Sequence, residues 1–378
     1  MRLLFFFVIS ILAIPGSAQK YDNVWLFGRN SSTPEFAGTI MDFDQSPPEL
    51  FLQFWDAYFY QTNASICDTA GNLQFYTNGI YVANALHEPM ENGDGLNPGA
   101  HADAQAEDGR GYILDQGAMI IPVPESDSLY YLLHKDKVAP GDEEGIWFSS
   151  KHLYSTVIDI SANAGLGKVL SKNVVLVEGS LNTGKLTAVR HANGRDWWVL
   201  VRRYAKNRYD KLLVKPSGIE YIEQQEVGLG MPFAGVGQAV FSPDGSKYVE
   251  YNTLSMDEGH YLDIYDFDRC TGWMSEPVQI TMQDSAWAGG VAISPNSRYL
   301  YASSFVNVYQ YDLWAADIEA SRDTVAEWDG FVEDGFFATT FYLAQLAPDG
   351  KIYINSNNGS RYLHVIKQPD LPGDSWQV

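Results

Sequence analysis

Arg190, His191, Arg195, Arg202, Arg203, Lys206, Arg208, Lys211 and Lys215 form a basic island in a chain whose formal net charge is −22. An island of that kind suits an anionic ligand or an acidic partner. Its first members stand beside Trp197, whose ring offers a platform on which a sugar can stack. Arg190, His191, Arg195 and Trp197 are therefore the candidate ligand-binding residues. Two structural roles compete with this one. Alternating Lys and Arg protect the solvent edge of a sheet, and of the adjacent Trp197 and Trp198 in a strand, one must face the core.

Catalytic chemistry leaves a fainter mark. The seven histidines, His87, His101, His134, His152, His191, His260 and His364, form no His-Glu-x-x-His pair and no close metal-binding cluster. Neither a Gly-x-Ser-x-Gly elbow nor a P-loop occurs. Met90 to Gly99 alternates Asn and Asp oxygens like a calcium loop, but without the acidic ligand at its far end, so it reads as a turn. Cys67 and Cys270 are too far apart to make a zinc site, and their spacing demands no disulfide. Cys67, within Ala64-Ser65-Ile66-Cys67-Asp68, reads as a small inward-facing hydrophobe. No metal and no cofactor is expected. A pair of carboxylates for glycoside chemistry could still be assembled from separate parts of the fold.

The elements that must position these residues are hairpins. Gln238-Ala239-Val240-Phe241-Ser242-Pro243-Asp244-Gly245-Ser246-Lys247-Tyr248-Val249 runs from a small-residue strand through a Pro-Asp-Gly turn into an aromatic strand. Ala292 to Tyr301 and Gln345 to Tyr353 repeat it, with Pro243, Pro295 and Pro348 standing 52 and 53 residues apart. Leu186 to Val201 carries an Asn-Gly turn whose Gly194 precedes Gly245 by 51 residues. Ile66 to Gly79 and Ala118 to His134 supply two more copies, and residues 100 to 115 read as a polar excursion between them. A period near fifty marks a repeat fold.

Small residues crowd the strand before each turn, as a fold narrowing toward an axis requires. The reading is an all-β propeller of four-stranded antiparallel blades. Six hairpins plus the leading strands around Trp25 and Ile40 give seven blades, with six as the alternative and the last blade possibly incomplete. Strands from both chain ends are expected to share the closing blade.

The acidic charge argues against a nucleic-acid partner, which needs clustered cations. Residues 1–18 read as a signal peptide: Arg2, an apolar run from Leu3 to Ile14, then small residues before a cut after Ala18. That run is too short to span a membrane, and nothing later approaches one. Residues 19–378 are then one exported domain, expected to be monomeric and C-terminally truncated.

Asp68 to Gly79, Met90 to Leu96, His191 to Trp198, Phe267 to Gly272 and the Ser-Pro-Asp-Gly turns together resemble secreted bacterial WD40-like β-propellers, over roughly residues 21 to 375. Relatives in that group often carry a C-terminal sorting module of the type IX secretion route. The resemblance implies a propeller at the cell surface or outside it and assigns no catalytic residue. The functional expectation is a non-catalytic module that binds a protein or glycan. The alternative is an extracellular hydrolase or lyase whose acid and base come from different blades around the central cleft.

Overall fold

The computed structural model describes residues 20–28, 38–138, 149–231, 235–253, 259–284 and 286–373. Apart from the small hairpin Val332–Glu333 with Phe337–Ala338, its strands form seven antiparallel meanders, each starting at the axis and stepping outward. Blade 1 is Val24–Phe27, Gly38–Asp42 and Glu49–Gln53; blade 2 is Ala64–Cys67, Leu73–Thr77 and Val82–Asn84. Blade 3 is Ala118–Pro122, Leu129–Lys135, Ser149–Asp159 and Lys168–Asn182; blade 4 is Ala188–Arg190, Trp197–Arg202, Arg208–Lys215 and Gly218–Glu226. Blade 5 is Val236–Phe241, Lys247–Thr253, His260–Asp268 and Trp273–Met282; blade 6 is Gly289–Ile293, Tyr299–Ser304, Asn307–Asp312 and Asp323–Glu327. Blade 7 is Ala344–Leu346, Ile352–Ile354 and His364–Ile366. Four-stranded blades are thus the middle four, and the six-blade alternative falls.

Side-chain seams between neighbouring blades close the ring. Leu26 meets Tyr76, Phe75 meets Tyr130, and Leu133 packs with Val199. Trp198 packs with Tyr248, Tyr251 with Val291, and Tyr301 with Ile352. The seventh seam joins blade 7 to blade 1, where Trp25 meets Tyr353 edge-on at 5.8 Å and Phe43 does so at 5.9 Å. Each fully buried aliphatic or aromatic side chain in such a seam contributes about 1.5–3 kcal/mol.

The closing seam corrects one expectation. The leading strands do not join blade 7; they pair with Glu49–Gln53 as a sheet of their own, Ile40 opposite Phe51. Glu49–Gln53 escapes the sequence because it is exposed along its length and follows Pro47-Pro48, so no alternation marks it. Residues 100 to 115 hold a second surprise: Ala100–Glu107 is an α-helix. Its alanines favour helix without leaving an apolar stripe.

Turn chemistry is repeated as well as turn spacing. Ser242 Oγ donates to Asp244 and accepts from the Lys247 amide at 2.9 Å. Ser294 and Asn296 do the same in blade 6, where Ser294 Oγ accepts from the Tyr299 amide at 2.8 Å. The Asp244 amide donates to Ser297 Oγ at 3.1 Å, so neighbouring turns on this lower face are tied together.

Candidate functional site

Segments leading into the inner strands meet on the opposite, upper face, around the axis. A recess there is lined by Gln61, Leu114, Asp115, Lys137, Thr183 and Gly237, drawn from blades 2, 3, 4 and 5. It is small, about 20 Å³, which is room for about one water molecule.

Asp115 is its chemical centre. The residue is 6% exposed, and Tyr342 from blade 7 donates its hydroxyl hydrogen to Oδ2. Oδ1 is buried with no hydrogen-bond partner among the described residues. Burial pushes the Asp115 carboxyl up to about 6, against the Tyr342 hydrogen bond and the charges of Lys185 and Lys137. Burial and the facing carboxylate keep the Tyr342 phenol protonated, so it stays a donor.

Two lysines flank this carboxyl. Lys185 is buried and donates to the Gly235 carbonyl at 2.5 Å; burial lowers it to about 8, with Glu250 and Asp115 opposing. Lys137 is half-buried, and burial lowers it too, with Asp115 opposing. Its ammonium makes no hydrogen bond or ion pair among the described residues, and it lines the recess. An ammonium and a carboxylate oxygen, neither with a hydrogen-bond partner among the described residues, thus line one small recess.

The backbone around Asp115 is held in sparsely populated conformations. Gln116 and Lys185 have φ of 44° and 56°, the left-handed region that costs a non-glycine residue free energy. Between Thr183 and Lys185, Gly184 has φ 54° and passes so near blade 3 that a Cβ there would stand 1.8 Å from the Asp115 carbonyl oxygen. Lys135 fixes this segment from below, donating to the carbonyls of Asn182 at 3.0 Å and Gly184 at 2.7 Å. Burial lowers the Lys135 ammonium to about 7.

Deeper along the axis, side-chain amides link inner strands. Gln116 accepts from the Ala239 amide at 2.8 Å and donates to the Ala239 carbonyl at 3.0 Å, joining blade 3 to blade 5. Gln238 accepts from the amides of Val291 and Ala344 and donates to the Ala344 carbonyl at 2.7 Å. Beside the axis, Glu250 is fully buried; burial opposes its ionisation, but Arg202, Lys185 and the amides of Asn252 and Asn182 hold it below the usual carboxylate range.

Two other polar clusters on the upper face have their reactive groups engaged. Asp284 accepts from His260, Ser304 and Tyr309. Burial opposes its ionisation, but the His260 and Ser304 hydrogen bonds hold it well below the usual carboxylate range. A nucleophilic triad needs histidine between serine and acid; here the acid sits in the middle, so Ser304 is not activated. Buried His134 lies between Asn97 and Thr156 and is held neutral by burial. No group of three or more metal-ligating side chains occurs among the described residues.

Arg190, His191, Arg195 and Trp197 come together around the Asn193-Gly194 turn of blade 4, on the lower face. Arg190 lies 4.3 Å over the Trp197 ring and donates to the Gly194 carbonyl at 3.0 Å. His191 Nε2 is 3.1 Å from the Cys270 carbonyl, and Arg195 pairs with Asp196 and, at 2.9 Å, with Glu125. Trp198 is the inward-facing partner, donating to the Arg269 carbonyl at 2.9 Å. Five of the other six members of the basic island, all but Lys206, are paired in the same way: Arg202 with Asp263, Arg203 with Asp210, Arg208 with Glu226, Lys211 with Glu223 and Lys215 with Glu220. Cys67 is buried and Cys270 exposed, both as free thiols. Asp115 itself was not among the sequence candidates, and its only mark there is an acid set between Leu114 and the head of an inner strand.

No family model matches the chain, and no curated protein matches it. Solved structures do. A Bacteroides fragilis protein named a "putative 6-phosphogluconolactonase" aligns at TM-score 0.53 and 12% identity, covering 93% of each chain. A Lactobacillus plantarum protein aligns at TM-score 0.51 and 13% identity over 91% of each. A periplasmic gluconolactonase of Pseudomonas aeruginosa aligns at TM-score 0.48 and 12% identity over 94% of this chain and 95% of its own. At such identities the likeness is one of fold: a seven-bladed propeller, distantly similar to propellers of this kind.

Proposed function

We propose that the protein is a propeller hydrolase that opens a small ester at the upper axial recess, with Asp115 as general base. The supporting observation is the buried, unpartnered Oδ1 of a carboxyl raised to about 6, facing a cavity of one-water size. In this reading the recess holds the attacking water and the substrate lies across the opening. Ionised Asp115 takes a proton as the water oxygen bonds to the carbonyl carbon. The Lys137 ammonium faces the developing oxyanion. The tetrahedral intermediate then expels the leaving oxygen, which recovers the proton from Asp115. A lactone, the substrate class named for the Bacteroides fragilis neighbour, is the simplest ester of suitable size. The leader-like residues 1–18 put this activity, in the same proposal, at or beyond the cell surface.

The binding-module reading rests on the lower face, where Arg190, His191, Arg195 and Trp197 meet. There the Arg190 guanidinium already covers one face of the Trp197 ring that a sugar would stack on, which is why we favour the axial recess.

The test is hydrolysis of a panel of sugar-acid lactones by the wild-type chain and by Asp115→Asn. Turnover should rise with pH through about 6, as the base ionises, and fall by about 10²–10⁴ in Asp115→Asn. A panel without turnover, or turnover that Asp115→Asn leaves intact, rejects the reading.

A further inference from the structure

Blade 1 ends on Glu49–Gln53, and no fourth strand is paired to it among the described residues. Leu50, Phe51 and Leu52 are 64%, 43% and 59% exposed, and Phe54 follows at 56%. The outermost strands of blades 3 to 6 are defended. Lys168–Asn182 carries Lys168 and Lys172, Gly218–Glu226 carries three glutamates, Trp273–Met282 carries Glu276 and Pro277, and Asp323–Glu327 is acidic at both ends. Charge and proline on an edge discourage pairing with another chain. Leu50-Phe51-Leu52-Gln53-Phe54 has neither, the one charge of this strand being Glu49 at its start.

We infer that this edge pairs with the same edge of a second copy of the chain, antiparallel about a two-fold axis at Phe51. A two-fold interface must be self-complementary, residue i meeting j while j meets i, and Glu-Leu-Phe-Leu-Gln reads nearly the same in both directions. Pairing about Phe51 sets Leu50 against the second copy's Leu52 and Phe51 against its counterpart. Glu49 then meets Gln53, so no like charges oppose each other. The three strands of each blade 1 become one six-stranded sheet. This departs from the monomer expected from the sequence and is independent of the chemistry at Asp115.

The drive is apolar, whereas each copy carries a formal charge of −22, so screening should strengthen association; an interface built on ion pairs would weaken with salt. Sedimentation of the wild-type chain between about 1 and 100 µM, at low and moderate salt, should show a monomer–dimer equilibrium that tightens with salt. Phe51→Lys sets two cations face to face on the axis and should weaken dimerisation at least about tenfold. Leu229→Lys, at an exposed site in the connection between blades 4 and 5, should not. Phe51→Cys in a Cys270→Ser background should yield an oxidised dimer, since paired antiparallel residues lie within disulfide reach. A monomer at every concentration overturns the inference, whether the 49–53 amides exchange freely, leaving the edge for a foreign peptide, or are protected, which assigns it to another segment of the same chain. A dimer that Phe51→Lys leaves intact, or that fails to cross-link, also overturns it.

Discussion

The catalytic use proposed for Asp115 is set against stability. Its carboxyl titrates near 6 in the fold and near 3.8 when unfolded, so the folded protein favours the protonated form. That contribution is complete below about 3.8 and is lost as pH rises through about 6. Asp115→Asn is therefore expected to raise the melting temperature at pH 7 and to change it little at pH 4, while lowering the proposed turnover by about 10²–10⁴. Thermal unfolding of both proteins at the two pH values measures the difference. The thiols provide a separate check at this scale. Burial pushes Cys67 up to about 12, whereas Cys270 is exposed. A thiol reagent should titrate Cys270 alone in the native protein and both thiols after denaturation.

Segments rather than single side chains aim the recess, and 182–185 is the tightest of them. Gly184→Ala brings a methyl against the Asp115 carbonyl at a left-handed position and should cost more than about 2 kcal/mol. Gly194→Ala, where the added methyl meets nothing within 4 Å, should cost about 1 kcal/mol. Chemical denaturation of the two variants separates close approach from backbone strain. Between strands, Arg202 and Asp263 are both buried, and Arg202→Ala strands a carboxylate at a cost of about 3–5 kcal/mol. Lys215→Ala, on the exposed edge of the same basic island, should cost less than about 1 kcal/mol.

The same contrast explains what the sequence disclosed. Turns such as Ser242-Pro243-Asp244-Gly245 specify themselves through contacts a few residues apart, so the hairpins, their period and the propeller were legible. The Arg190 to Trp197 grouping was legible for the same reason, being one turn. Asp115 and Tyr342 lie 227 residues apart, and only ring closure brings them together. Glu49–Gln53 was illegible because a strand exposed on both faces shows no period of two.

At the scale of the molecule, the seams share the load unequally. The seam between blades 7 and 1 rests on Trp25, Met41, Phe43, Ala347 and Tyr353, with no strand crossing it among the described residues. Trp25→Ala should cost about 3–5 kcal/mol. Hydrogen exchange should then show blades 1 and 7 opening ahead of blades 4 and 5; uniform exchange around the ring would contradict the weak seam. The glutamines along the axis carry a different implication. Gln116 ties blade 3 to blade 5 and Gln238 ties blade 5 to blades 6 and 7, so the recess above them is a cup and not a pipe. Whatever leaves the bottom of a cup departs by the rim through which its successor arrives. If the recess is the site of the hydrolysis proposed above, product should compete directly with incoming substrate, and inhibition by added product should be of the competitive type.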